Sequence, residues 1–144
     1  MERGHSALRK GRHSKTNHIY HLVFNTKNRA PFFLDISKGR RFVSILKEDE
    51  ARGNSNTLAF VVMPDHVHWL MELRNESLCE CIKRIKSISA RQIKGLYWAE
   101  VFYDHLIRDD ENLKNVARYI VANPLRANLV KSVREYSLWD AVWL

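Results

Sequence analysis

Two apolar, β-branched runs, residues 58–63 (LAFVVM) and 66–73 (HVHWLMEL), are separated only by Pro64 and Asp65. Two strands joined by so short a turn have one simple arrangement, an antiparallel hairpin. An isolated ribbon is only marginally stable in water, so the chain must add further strands and cover them. Residues 18–24 (HIYHLVF) read as a first strand that ends in the loop NTKNRAP. Residues 38–51 set Phe42, Val43, Ile45 and Leu46 at helical spacing, with Ser37 as the expected cap and Gly53 and Asn54 as the stop. Residues 78–97 form a basic amphipathic helix whose stripe is Leu78, Ile82, Ile85, Ile88, Ile93 and Leu96. Residues 101–107 alternate as a fourth strand. A last helix begins at Asp109 or Asp110, carries Leu113, Val116, Ala117 and Ile120, and stops at Pro124. The order βαββαβα predicts an α+β fold of split βαβ (ferredoxin- or RRM-like) type, an antiparallel sheet of about four to five strands with helices packed on one face.

At 144 residues the chain is sized for one domain, and 45% hydrophobic side chains are enough for a core. We expect a basic arm over 1–17, a body over 18–129 and a C-terminal tail over 130–144 whose Tyr136, Trp139 and Trp143 dock on that body. No apolar run approaches the ~20 residues of a membrane span, which points to a soluble, intracellular protein with no membrane partner. Cys79 and Cys81 lie two apart on a helix, point in different directions and form neither a disulfide nor half of a zinc site. The formal charge is +8, and residues 1–47 alone hold 11 Lys and Arg against 2 Asp and Glu. Such a field attracts polyanions, nucleic acid first and an anionic membrane surface second.

His66 and His68 alternate with Val67 and Trp69, so both imidazoles leave the same face of their strand. Neutral imidazoles side by side suit a divalent cation, although the same spacing also arises on an ordinary polar sheet face. In the last helix Tyr119 and Asn123 lie four apart and share a face offset from the apolar one. The phenol can act as an oxygen nucleophile and the amide as a neutral ligand; equally, the tyrosine can rim the core and the asparagine can cap the helix. A free phenol titrates near pH ~10, so nucleophilic use requires a cation or base nearby. His105 and Asp104 are candidate bases, whereas His21 reads as a packed strand residue.

With MPDHVHWLM, YDHLIRDDENL, ARYIVANPLRANLV and YSLWDAVW in this order, the chain from about residue 18 to its end resembles the REP-associated tyrosine transposases. These form part of the IS200-like branch of the HUH superfamily of single-strand DNA nucleases. The resemblance implies that His66 and His68 are metal ligands, that Tyr119 is the nucleophile and that Asn123 adds a further ligand. It also implies Mg²⁺ or Mn²⁺ as cofactor and a hairpin of the repetitive extragenic palindrome type as the single-stranded DNA partner. The expected reaction is cleavage and rejoining through a 5′-phosphotyrosine bond, with the C-terminal tail near the active site. A bacterial, cytoplasmic, nucleoid-associated enzyme working as monomer or homodimer fits this picture.

DNA contacts are expected from Arg12, Lys15, Lys27, Arg29, Arg40 and Arg41, with Lys83, Lys86, Arg91 and Lys94 as a second patch. Tyr97, Trp98 and Tyr103 are candidates for base stacking. The alternative is a binding module that grips nucleic acid on its sheet without cutting it. A hydrolase of small phosphate esters would leave the basic N-terminal region unexplained.

Overall fold

The computed structural model describes residues 18–108 and 112–143. In chain order these form β1 (Ile19–Thr26), α1 (Ile36–Ala51), β2 (Ser55–Val62), β3 (His66–Leu73), α2 (Leu78–Gln92), β4 (Trp98–Leu106), α3 (Leu113–Val121), α4 (Asn123–Arg126) and β5 (Trp139–Ala141). The five strands make one antiparallel sheet in the order β4-β1-β3-β2-β5. Class, sheet type and the order of the first seven elements agree with the sequence. Among the described residues no helix is long and apolar enough to cross a membrane.

Alternation along the central strands gives the sheet two different faces. Tyr20, Leu22 and Phe24 of β1 and Val67, Trp69, Met71 and Leu73 of β3 are buried on the first, beneath Phe42, Ile45 and Leu46 of α1 and Ile82 and Ile85 of α2. The second face carries a smaller core in which Ala117, Ile120 and Val121 of α3 pack on Ala59, Val61, Leu70 and Ala141. α1 and α2 thus take the expected face, while α3 lies on the other. The reason is that β2 and β3 are apolar on both sides near Ala59, Val61 and Leu70, and a strand apolar on both sides must be covered twice. α3 covers only part of that second face.

Local chemistry accounts for the element ends. Asp35 rather than Ser37 caps α1, accepting from the Ser37 backbone N–H at 3.0 Å. Ser77 and Glu80 close a reciprocal capping box on α2. α2 ends at Gln92, earlier than its periodicity suggests, because Ile93 and Leu96 reach the core from an irregular turn that passes through Gly95 at φ +88°. Asn112 caps α3; residues 109–111, where the cap was expected, lie outside the described residues. Pro124 occupies the first turn of α4, where its missing N–H is harmless, so α3 gives way to a second short helix. Asp49, buried between α1 and β2, accepts from Ser55 and Arg84, and Arg84 also pairs with Glu76. Cys79 is exposed and Cys81 buried, its thiol pushed up by burial.

The C-terminal tail is part of the sheet. β5 pairs with β2 through Ala59↔Ala141 and Val61↔Trp139. Tyr136 donates its phenol to the Val62 carbonyl, and burial pushes that phenol up to about 12. Leu138 is buried against Gly39, where an added Cβ would come within 2.4 Å of a Leu138 methyl. Leu138→Ala should therefore lower stability by roughly 2–5 kcal/mol in urea unfolding. A loss below about 0.5 kcal/mol, the range of surface substitutions, would mean that the tail is not docked in solution.

Candidate active site

The uncovered part of the second face lies over β4, β1 and one end of β3. Residues directly opposite each other in an antiparallel pair share a face. Val23 opposes both His68 and Tyr103, His21 opposes Leu70 and His105, and Asn25 opposes His66. His66, His68, His21, His105 and Tyr103 therefore stand on one side. The His66 and His68 rings are 5.0 Å apart between centroids, His21 and His68 5.1 Å, and His21 and Tyr103 5.8 Å. Asp104 opposes Leu22 and so belongs to the helix-covered side, away from the histidines.

Each of the paired imidazoles has one nitrogen engaged by the protein. His66 Nδ1 lies 2.7 Å from Asp65 Oδ1, and Asp65 Oδ2 in turn accepts from Arg29 Nε at 3.0 Å. Burial alone would raise the Asp65 carboxyl pKa; the hydrogen bond from His66 and the charge of Arg29 outweigh it and hold the group below the usual carboxylate range. His68 Nδ1 lies 2.9 Å from His21 Nε2. Burial lowers His68 to about 3, helped by His21, His66 and Arg126, and lowers His21 to about 4, helped by His105. Both are neutral at neutral pH, the form in which imidazole binds metal. His66 and His68 both keep Nε2 out of these bonds.

Tyr119 and Asn123 arrive from above. Ala117, Ile120 and Val121 occupy the sheet-facing positions of α3, which leaves Tyr119 58% exposed at its edge. The Arg126 guanidinium carbon stands 3.7 Å from the centroid of the Tyr119 ring, and the same cation acts on His68. Arg126 thus stands over the phenol ring, and its charge disfavours the protonated form of His68. Among the described residues the Asn123 amide nitrogen is buried with no hydrogen-bond partner. Amide nitrogen and oxygen exchange by a half-turn, so that orphaned position equally offers an oxygen. Among the described residues no three His, Cys, Asp or Glu side chains group closely enough to hold a metal ion. A cation would need the two imidazoles plus neutral oxygens, which the Asn123 amide fits.

The expected basic contacts do not form one surface. Arg12 and Lys15 lie outside the described residues. Lys27 is exposed in the turn after β1, and Arg29 holds Asp65 while remaining largely exposed. Arg40 and Arg41 are on α1 and Lys83, Lys86 and Arg91 on α2, with Lys94 in the turn just after it, all in the layer opposite the histidine face. Lys86 is engaged there: it donates to the Ala99 carbonyl at 2.9 Å, and burial lowers its pKa. Of the aromatic candidates, Tyr97 and Tyr103 are 70% and 53% exposed, while Trp98 packs against Phe24, Phe33 and Phe42. The sequence reading gave His21 only a packing role and did not single out Arg126. Period-two spacing puts His21 opposite in direction to Tyr20 and Leu22, a visible signal, but its contact with His68 depends on strand register. Nothing in the sequence pairs Arg126 with Tyr119 except their separation of two helical turns.

A family model described as "Transposase IS200 like" matches residues 14–123. A candidate REP-associated tyrosine transposase from Haemophilus influenzae is 30% identical over 97 residues, 56% of this chain and 55% of that protein. The chain thus matches about half the length of this curated relative. Among solved structures, a REP-associated tyrosine transposase bound to a REP hairpin superposes with a TM-score of 0.73 at 23% identity, covering 96% of this chain and 82% of the other. A candidate transposase from Deinococcus radiodurans gives a TM-score of 0.56 at 21% identity, covering 83% and 95%. At these identities the structural likeness speaks for the fold.

The depressed histidines predict a pH effect on stability. In the unfolded chain His21 and His68 titrate near their ordinary value of 6.5, and in the folded chain near 4 and 3. The unfolded state therefore takes up protons first as pH falls, so the stability present above pH ~6.5 is lost progressively toward pH ~3. Urea midpoints measured from pH 7 to 4 should fall, and a His21→Gln/His68→Gln double variant should show a shallower fall. An identical slope in the variant would contradict the neutral buried pair.

Proposed function

We propose, from the premise that this chain belongs to the IS200-like transposase family, that it is a metal-dependent single-strand DNA endonuclease and strand transferase that works through Tyr119 on REP-like hairpins. The observation that carries this reading is the pair of imidazoles on one sheet face, His66 and His68, with rings 5.0 Å apart and each with Nδ1 engaged and Nε2 left out of those bonds. His66, His68 and Asn123 are the residues that would hold Mg²⁺ or Mn²⁺, with the remaining positions left to phosphate or water oxygens. When bound, the cation would withdraw charge from a non-bridging oxygen of the scissile phosphate.

The chain's own groups do the rest. The Tyr119 oxygen gives up its proton and attacks phosphorus, the bond to the DNA 3′-oxygen breaks, and that oxygen gains one proton and leaves as a hydroxyl, so the phenol's loss and the 3′-oxygen's gain balance. The new 5′-phosphotyrosine ester keeps the bond energy, so attack by a second 3′-hydroxyl restores the phosphodiester and frees the phenol. With its guanidinium carbon over the ring, Arg126 still has N–H groups for a phosphate oxygen and can hold the group in line. Tyr103, exposed on the same face, offers a stacking platform for an unpaired base. The bases on α1 and α2 face away from this path and are expected to matter less for binding.

Labelled hairpin DNA incubated with Mn²⁺ tests the proposal. The native chain should form a covalent protein–DNA adduct that chelator prevents. Tyr119→Phe should abolish the adduct with DNA affinity nearly intact. His66→Ala or His68→Ala should slow cleavage by roughly 100-fold or more, the scale for removing a group that stabilises transition-state charge. Cleavage by Tyr119→Phe would make water the nucleophile, and DNA binding without any cleavage by the native chain, unchanged in the histidine variants, would favour a binding module.

A further inference from the structure

We propose that His21 is a positioning residue for His68: its Nε2 lone pair accepts the Nδ1–H of His68, fixing the tautomer that leaves the His68 Nε2 lone pair open to the cation. This inference rests on His68 being a metal ligand. Its geometry is a 2.9 Å bond between adjacent strands, made diagonally, since His68 is opposite Val23 and His21 opposite Leu70. Between two neutral imidazoles at that distance there is one proton. If His21 donated it, His68 would carry its remaining proton on Nε2 and could offer no lone pair there. If His68 donates it, Nε2 is open.

The partner ring supports the second arrangement. His66 has its Nδ1 on the Asp65 carboxylate, which can only accept, so His66 is held with Nε2 open. His21 provides for His68 what Asp65 provides for His66, and it does so without adding negative charge where a phosphate must approach. His21 itself is confined by the Tyr103 ring, 5.8 Å away, and by His105 directly opposite on β4. A metal-bound imidazole depends on such an outer partner for its orientation as well as its tautomer.

Long-range ¹H–¹⁵N correlation spectra of the full-length ¹⁵N-labelled chain at pH 7.5, with His68 assigned through a His68→Gln spectrum, report the tautomer without any activity measurement. A free neutral imidazole favours the Nε2–H form, so the Nδ1–H form expected for His68 is diagnostic. Mn²⁺ affinity, read from the EPR signal of the free ion, should weaken by roughly 10- to 100-fold in His21→Leu and return to within about threefold of native in His21→Gln, whose amide oxygen can accept. An Nε2–H tautomer at His68 in the native chain overturns the proposal even if no variant folds. Native Mn²⁺ affinity in a folded His21→Leu overturns it too, whether or not the DNA adduct forms. The expected tautomer and affinities in a chain that forms no adduct would uphold the positioning role and count against the nuclease reading instead.

Discussion

The register of β1 against β3 is the constraint on which the rest of the structure depends. With Val23 opposite His68, the alternation of both strands puts Tyr20, Leu22, Phe24, Val67, Trp69 and Met71 into one core and His21, His66 and His68 on the other side. A slip by one residue would turn every one of these side chains to the wrong face. The fully buried Trp69, whose indole donates to Thr57 of β2 at 2.9 Å, makes such a slip costly, since an indole and a row of imidazoles would have to exchange places. Packing on one face thus positions the polar groups on the other.

That second face is divided. α3 covers the apolar part around Ala59, Val61 and Leu70 and leaves Tyr119 exposed at its edge. Burial and function meet along that boundary. Burial keeps His21 and His68 neutral, Tyr119 stays exposed, and Arg126 of the short helix α4 stands over the Tyr119 ring. β5 completes the arrangement by pairing with β2 and packing beside α3, so the tail supports the helix that carries the phenol.

What could be read from the sequence was whatever depends on local pattern. The hairpin of β2 and β3 and the common face of His66 and His68 follow from a period of 2, whereas Tyr119 and Asn123, read as one helix face, fall in two successive helices. The burial of both faces of β2 was harder to see, since an apolar run such as AFVV does not say how many layers cover it. Helix ends were misjudged where side chains stay in the core after the helix has stopped, as Ile93 and Leu96 do. Charge was the least reliable guide to a surface. Arg29 and Lys86 read as DNA contacts, yet one holds the Asp65 carboxylate and the other a β4 carbonyl, because a cation's partners depend on tertiary neighbours. The His21–His68 and Arg126–Tyr119 contacts lie beyond sequence pattern for the same reason.

In the proposed mechanism a strand pair and a distant helix converge on one cation. An anomalous-difference map from a crystal soaked in Mn²⁺ would locate that ion. A peak bounded by His66, His68 and Asn123, with the Tyr119 phenol facing it, is expected. A peak held by other residues, or an empty histidine face in a crystal that binds Mn²⁺ elsewhere, would contradict that mechanism.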